Sequence, residues 1–199
     1  MRSHRHLWVL VAALVAGCGD YGAPDSVVYG TAVYTQPKPG FDFNQDLTSN
    51  AYFLDPLLKI QEDQESTTQD LPANVAAAIN TQLQALGYTP VDTLGAAAVG
   101  VKVSVLKGTG TVWYPGYWCD YWYAYYGCYY DWYYAGSYKF GTVILEMGDL
   151  TAPDNGKLPI LWLSAIYGVA TTPTNDSQRV VDGIDRAFAQ SASYLKLTP

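Results

Sequence analysis

Val99, Val101, Val103 and Val105 alternate with Gly100, Lys102 and Ser104. A period of two suits a strand with one buried face, whereas a helix would scatter the four valines around its axis. The pattern also pins the register, because a one-residue slip would carry every valine to the opposite face. The chain must therefore build a sheet around residues 99–105. FGTVILEMGDL (140–150) supplies a second strand, and LPILWLSAIYGVA (158–170) a third, after the turn residues Asp154-Asn155-Gly156. The third is apolar on both faces, as a central strand should be. Upstream, VVYGTAVYT (27–35) is strand-rich and is ended by QPKPG, since proline cannot donate to a ladder. Ala51–Leu54 is read as a short strand, and the polar run IQEDQESTTQD (60–70) as an exposed loop.

Two segments carry the helical period instead. In LPANVAAAINTQLQALGY, Leu71, Val75, Ile79, Leu83 and Leu86 share one face, Pro72 fits the first turn and Gly87 supplies a left-handed stop. In NDSQRVVDGIDRAFAQSASYL, Val181, Ile184, Phe188 and Leu195 form the core stripe, with Asn175 or Asp176 as cap. Strands, helix, three strands, helix: this order predicts an α+β domain, a mainly antiparallel sheet with both helices on one face.

The first residues suggest an address. MRSHRHLWVLVAALVAGCGD has a basic start (Arg2, Arg5), an apolar run from Leu7 to Val15 too short to span a bilayer, and small residues before Cys18. VAGC resembles the lipobox of bacterial lipoproteins, which implies a signal peptide over 1–17, lipid on Cys18 and a tether over 18–26. Several acyl chains at about 0.8 kcal/mol per buried CH₂ anchor stably where one does not. Gly19 directly follows Cys18, and by resemblance to Gram-negative sorting this favours the outer membrane, with the domain facing the periplasm. Residues 27–199 then form one domain, carrying an aromatic insertion at 113–138.

Loss of Arg2 and Arg5 leaves nine basic against 18 acidic side chains, a formal charge of −9. Phosphate neutralisation needs clustered Lys and Arg, so nucleic acid is not an expected partner. Both histidines, His4 and His6, belong to the leader, which removes Ser-His, Cys-His and His-metal chemistry from the mature chain. Asp42-Phe-Asn44-Gln-Asp46 begins like a calcium loop, but Leu47 stands where Gly is required and Phe53 where the bidentate Glu belongs, so it is read as a polar turn. Glu146 and Asp149 lie three apart on a strand, hence on opposite faces, and are read as surface charge rather than as a carboxylate pair. No catalytic residue, metal site or cofactor is expected.

Helix VAAAINTQLQALGY, the alternating strand, an aromatic insertion, GTVILEMGDL, ILWLSAIYGVA and RVVDGIDRAFAQ together resemble the bacterial lipoprotein family known as domain of unknown function 4136. The resemblance runs from about Val27 to Lys196. It implies lipid anchoring and this fold, and no established activity.

Eleven of the 18 Tyr and four of the six Trp lie between Trp113 and Tyr138. If Trp113–Cys119 and Cys128–Tyr134 are hairpin arms, Cys119 and Cys128 face each other, and a disulfide is favoured over a metal-binding thiol pair that no other Cys or His could complete. Closing so small a loop contributes about 2.5–3 kcal/mol. Such an arm can be a cross-strand aromatic ladder that stiffens itself and packs on the domain. It can also present Trp113, Tyr117, Trp118, Tyr121, Trp122, Tyr126, Tyr130 and Trp132 to an envelope protein, a glycan or the lipid headgroups. The expectation is a non-enzymatic binding module, with its oligomeric state open.

Overall fold

Seven strands form one sheet in a computed structural model that describes residues 32–62, 65–107, 141–151, 158–169 and 176–198. The strands are β1 (Ala32–Pro37), β2 (Ala51–Glu62), β3 (Glu65–Asp70), β4 (Thr89–Pro90), β5 (Val99–Lys107), β6 (Thr142–Asp149) and β7 (Ile160–Tyr167). Their order is β1-β7-β6-β5-β2-β3, with β4 also paired to β2. Most pairs are antiparallel, while β2 runs parallel to β4 and β5. Helices α1 (Ala73–Ala85) and α2 (Asp176–Leu195) complete an α+β domain.

The valines of β5 do what their alternation predicts on one side. Val99, Val101, Val103 and Val105 join Val143, Leu145, Met147, Trp162 and Ile166 in a single buried cluster with Val75, Ile79 and Leu83 of α1 and Ile184 and Phe188 of α2. Burying each such side chain is worth roughly 1.5–3 kcal/mol. The two helices lie together against this front face, and Gln82 Nε2 of α1 donates to Asp185 Oδ1 of α2 at 2.8 Å. Trp162 is fully buried, stacks on Phe188 with ring centroids 5.1 Å apart, and donates its indole N–H to Ser191 Oγ at 2.9 Å.

Several boundaries differ from the sequence reading. β2 is 12 residues long rather than the four of Ala51–Leu54, and the polar run 60–70 holds its end and β3. β3 is exposed at every residue, an edge strand without an apolar face, so alternation could not mark it. QPKPG does not end β1 at Thr35: the strand continues to Pro37, opposite Trp162, on an outer edge where a missing N–H is tolerated. The stripe of α2 passes through Val180, not Val181, which puts 180, 184, 187, 188 and 195 on one side. Asp176 lies inside α2, so the cap position falls on residue 175, which like 27–31 and the 154–156 turn is outside the described residues.

At the end of α1, Gly87 (φ +97°) closes a paired cap in which Tyr88 N–H donates to Leu83 O at 3.0 Å and Gly87 N–H to Gln84 O at 3.1 Å. The DFNQD turn is indeed a turn: Asp42 Oδ1 accepts the Asn44 N–H at 2.9 Å. Its Asn44 holds the C-terminal tail, since Oδ1 accepts Thr198 N–H at 2.6 Å and Nδ2 donates to Lys196 O at 3.2 Å.

Candidate functional site

The other face of the sheet departs most from expectation. The residues between the valines of β5, and Glu146 and Asp149 of β6, were to meet solvent, yet β5 is buried at every position but its last and β6 throughout. Lys102 is 4% exposed, Ser104 1%, Glu146 1% and Ile144 0%. Neither Glu146 nor Asp149, 6% exposed, is therefore surface charge. Lys102 and Glu146 are direct cross-strand partners, and Lys59 of β2 stands opposite Ser104. Asp55, buried beside them, sits where the β2–β5 register shifts between Leu54 and Leu58. Its Oδ1 accepts the Leu57 N–H at 2.9 Å.

Two carboxylates and two ammonium groups thus share this back face, and their formal charges cancel. Around them lie Leu106, Ile144, Leu163 and Ala165, a second buried apolar cluster flanked by half-buried Tyr34, Phe53 and Tyr167. Burial raises the Asp55 pKa, and the Leu57 N–H and the charge of Lys102 offset part of that rise. Asp55 and Glu146 are each about 1% exposed, so neither carboxylate faces bulk solvent. Asp149 stands opposite Val99, three residues and one face away from Glu146, and its Oδ1 accepts the N–H and hydroxyl of Thr151 at 2.8 Å each. Sequence did carry one signal for the cluster: Lys102 and Glu146 each sit within long apolar runs. Taken singly, however, each fits a solvent face equally well.

Near the C-terminal tail, a groove of about 400 Å³ lined by Phe43, Asn44, Leu47, Asn50, Leu197 and Thr198 offers amides and hydroxyls but no ionisable side chain. Among the described residues, no group of three or more His, Cys, Asp or Glu could hold a metal ion, and no helix is long and apolar enough to cross a membrane.

Cys18, the Cys119–Cys128 pair and the aromatic residues Trp113, Tyr117, Trp118, Tyr121, Trp122, Tyr126, Tyr130 and Trp132 all lie outside the described residues. What the fold gives is the point of departure of their segment. It leaves β5 at Lys107 and returns at Gly141, where Gly141 N–H donates to Leu106 O at 3.1 Å and Val169 N–H to Gly141 O at 3.1 Å. Leu106 and Thr142 are already paired, so residues 108–140 join two adjacent antiparallel strands at one end of the sheet.

Comparison with solved structures finds similar chains. A DUF4136 family protein from Bacteroides thetaiotaomicron superposes with a TM-score of 0.66 at 26% identity, over 83% of this chain and 97% of that one. A PelC variant, a dodecamer from Paraburkholderia phytofirmans, aligns over 85% of this chain and 100% of that one, with a TM-score of 0.43 and 12% identity. No curated protein matches the sequence. The family model for DUF4136, a domain of unknown function, matches residues 33–191, and the chain belongs to that family.

Proposed function

We propose that this protein is a lipid-anchored component of the bacterial cell envelope that acts as a non-enzymatic binding module through its aromatic segment. One observation carries the reading. β5 and β6 are in register to their ends and could be joined by a tight turn of two to five residues, yet the chain spends residues 108–140 there. Those residues hold eleven Tyr and four Trp. Loops set on a rigid scaffold are where recognition residues collect, and Tyr and Trp bring large, stiff contact area with a polar tip. The balanced, buried charges of the back face and the absence of His from the mature chain favour binding over catalysis.

Cys18 would carry the lipid and hold the domain at the outer membrane, facing the periplasm, with an envelope protein or glycan as partner. Cys119 and Cys128 would close the arm as a disulfide. In-cell crosslinking with affinity recovery tests this, comparing the intact protein with one whose Trp113–Tyr134 is replaced by a short Gly/Ser turn. Loss of a specific partner or glycan with the arm, while the domain stays folded, supports the reading. Recovery of the same partners by both chains refutes it. For the anchor, Cys18→Ser should move the protein out of the membrane fraction.

A further inference from the structure

The outer side of β2 is divided between two partners that do not meet. β4 pairs with it at Ala51 and Tyr52, and β3 only from Leu57 onward. The interruption is written in the local sequence. Pro90 has no N–H with which to extend the β4 ladder, and the chain bends away at Asp92 and Thr93. On β2 itself, Asp55 and Pro56 open a bulge. Asp55 Oδ1 accepts the Leu57 N–H at 2.9 Å, and the register to β5 shifts between Leu54 and Leu58.

Main-chain groups along a strand point alternately to its two sides. Ala51 O accepts the N–H of Ala98, which leads into β5, at 2.9 Å. Tyr52 O accepts Val91 N–H at 2.9 Å and Pro56 O accepts Leu71 N–H at 2.8 Å, both on the outer side. Leu54, between them, turns its N–H and C=O outward where neither β3 nor β4 runs alongside.

A groove of about 410 Å³ opens at this point, within the roughly 300–1,000 Å³ of ligand sites. Leu54, Leu71, Pro90 and Val91 give it apolar walls, and Asn80 of α1 adds an amide. Asn80 Oδ1 already accepts the Tyr52 hydroxyl at 2.7 Å, which leaves Nδ2 as a donor. Asp92 is exposed and is the charged group among the described residues that line the groove. These are the parts that strand addition uses. An open main-chain pair takes an extended peptide, the pocket beside it takes a side chain, and a rim carboxylate with no base nearby in the lining favours a cation.

We propose that the groove bounded by β2, β4 and α1 is a docking site for an extended segment of a partner protein. One apolar side chain of that segment fills the groove, its main chain pairs with Leu54, and an adjacent Lys or Arg meets Asp92. The site uses none of residues 108–140 and does not depend on their having a partner.

Peptides of the form acetyl-Thr-X-Lys-Thr-amide, with X as Val, Leu, Met or Phe, test it when titrated into the isotope-labelled protein and followed by amide NMR. At least one should give saturable shifts centred on the Leu54 and Asp92 amides and the Asn80 side-chain amide. Placing Ser at X, or Glu in place of the peptide's Lys, should weaken binding about tenfold or more. Asp92→Lys should reverse the preference, so that the Glu peptide binds better than the Lys peptide. Ala76→Trp, on the α1 wall of the groove, should abolish binding by filling it. Because Asp92 is exposed, its variant keeps the test open even where Ala76→Trp does not fold. No saturation at those amides up to about 10 mM peptide, where a site of about 1 mM affinity would be filled, overturns the proposal. Binding that Asp92→Lys leaves unchanged overturns it as well.

Discussion

The two faces of this sheet are made from the same strands and are both buried, yet they are built on different chemistry. The front face takes the odd-numbered residues of β5 and β6, is mostly apolar, with Asp149 at its end and Ser164 opposite Leu145, and is sealed by α1 and α2. The back face takes the even-numbered residues and sets Lys102 against Glu146, with Asp55 and Lys59 alongside, among leucines and isoleucines. An apolar face tolerates any apolar cover of the right shape. A face with buried charges is more exacting, since each group that loses water must be given a partner in return. The front face therefore stabilises the fold, whereas the back face selects what may lie on it.

That contrast can be broken from either side. The largest expected loss is on the front. Trp162→Ala removes a fully buried ring stacked on Phe188 and should cost about 3–5 kcal/mol, measured by urea unfolding. On the back, Lys102→Met leaves Glu146 buried without its cross-strand cation and should cost about 3 kcal/mol. Adding Glu146→Leu to that variant should recover most of the loss, since a buried ion pair and a well-packed apolar pair are often close in stability. No such rescue exists for Trp162→Ala, and a failure of rescue on the back face would erase the distinction.

Smaller effects sharpen it. Gly87→Ala forces a side chain into φ +97° and sets its Cβ 3.2 Å from the Cβ of Leu197, for a loss of about 1–2 kcal/mol in thermal or urea unfolding. This lies at the helix layer and should leave the back-face lysines as protected as before. Asp55→Asn should have the least effect, visible as a pH dependence. Burial raises the folded-state pKa of Asp55 above its unfolded value, so its stabilising contribution is complete below the unfolded pKa. It is lost as pH rises through the folded pKa. Denaturant midpoints should accordingly shift in favour of Asp55→Asn as pH increases across the carboxylate range.

How far the sequence revealed this molecule follows from the same contrast. β5, β6, β7 and both helices were legible, because each has an apolar face whose period marks it. β3 was invisible because it is an all-polar edge strand held by backbone pairing to β2, which leaves no trace in side-chain pattern. Lys102 and Glu146 were misread for a related reason. Alternation says which residues share a face, but not whether that face is covered, and cover over a strand is a property of segments distant in sequence. The shift from Val181 to Val180 arose because residues 180 and 181 are both valine, and only the packing of α2 against the sheet chooses between them.

A double-mutant cycle on Lys102 and Glu146 tests the two-face account most directly. The account predicts a coupling of about 2 kcal/mol or more in the intact protein, as for a buried pair. A coupling of only about 0.2–1 kcal/mol, as for a solvent-exposed pair, would contradict it.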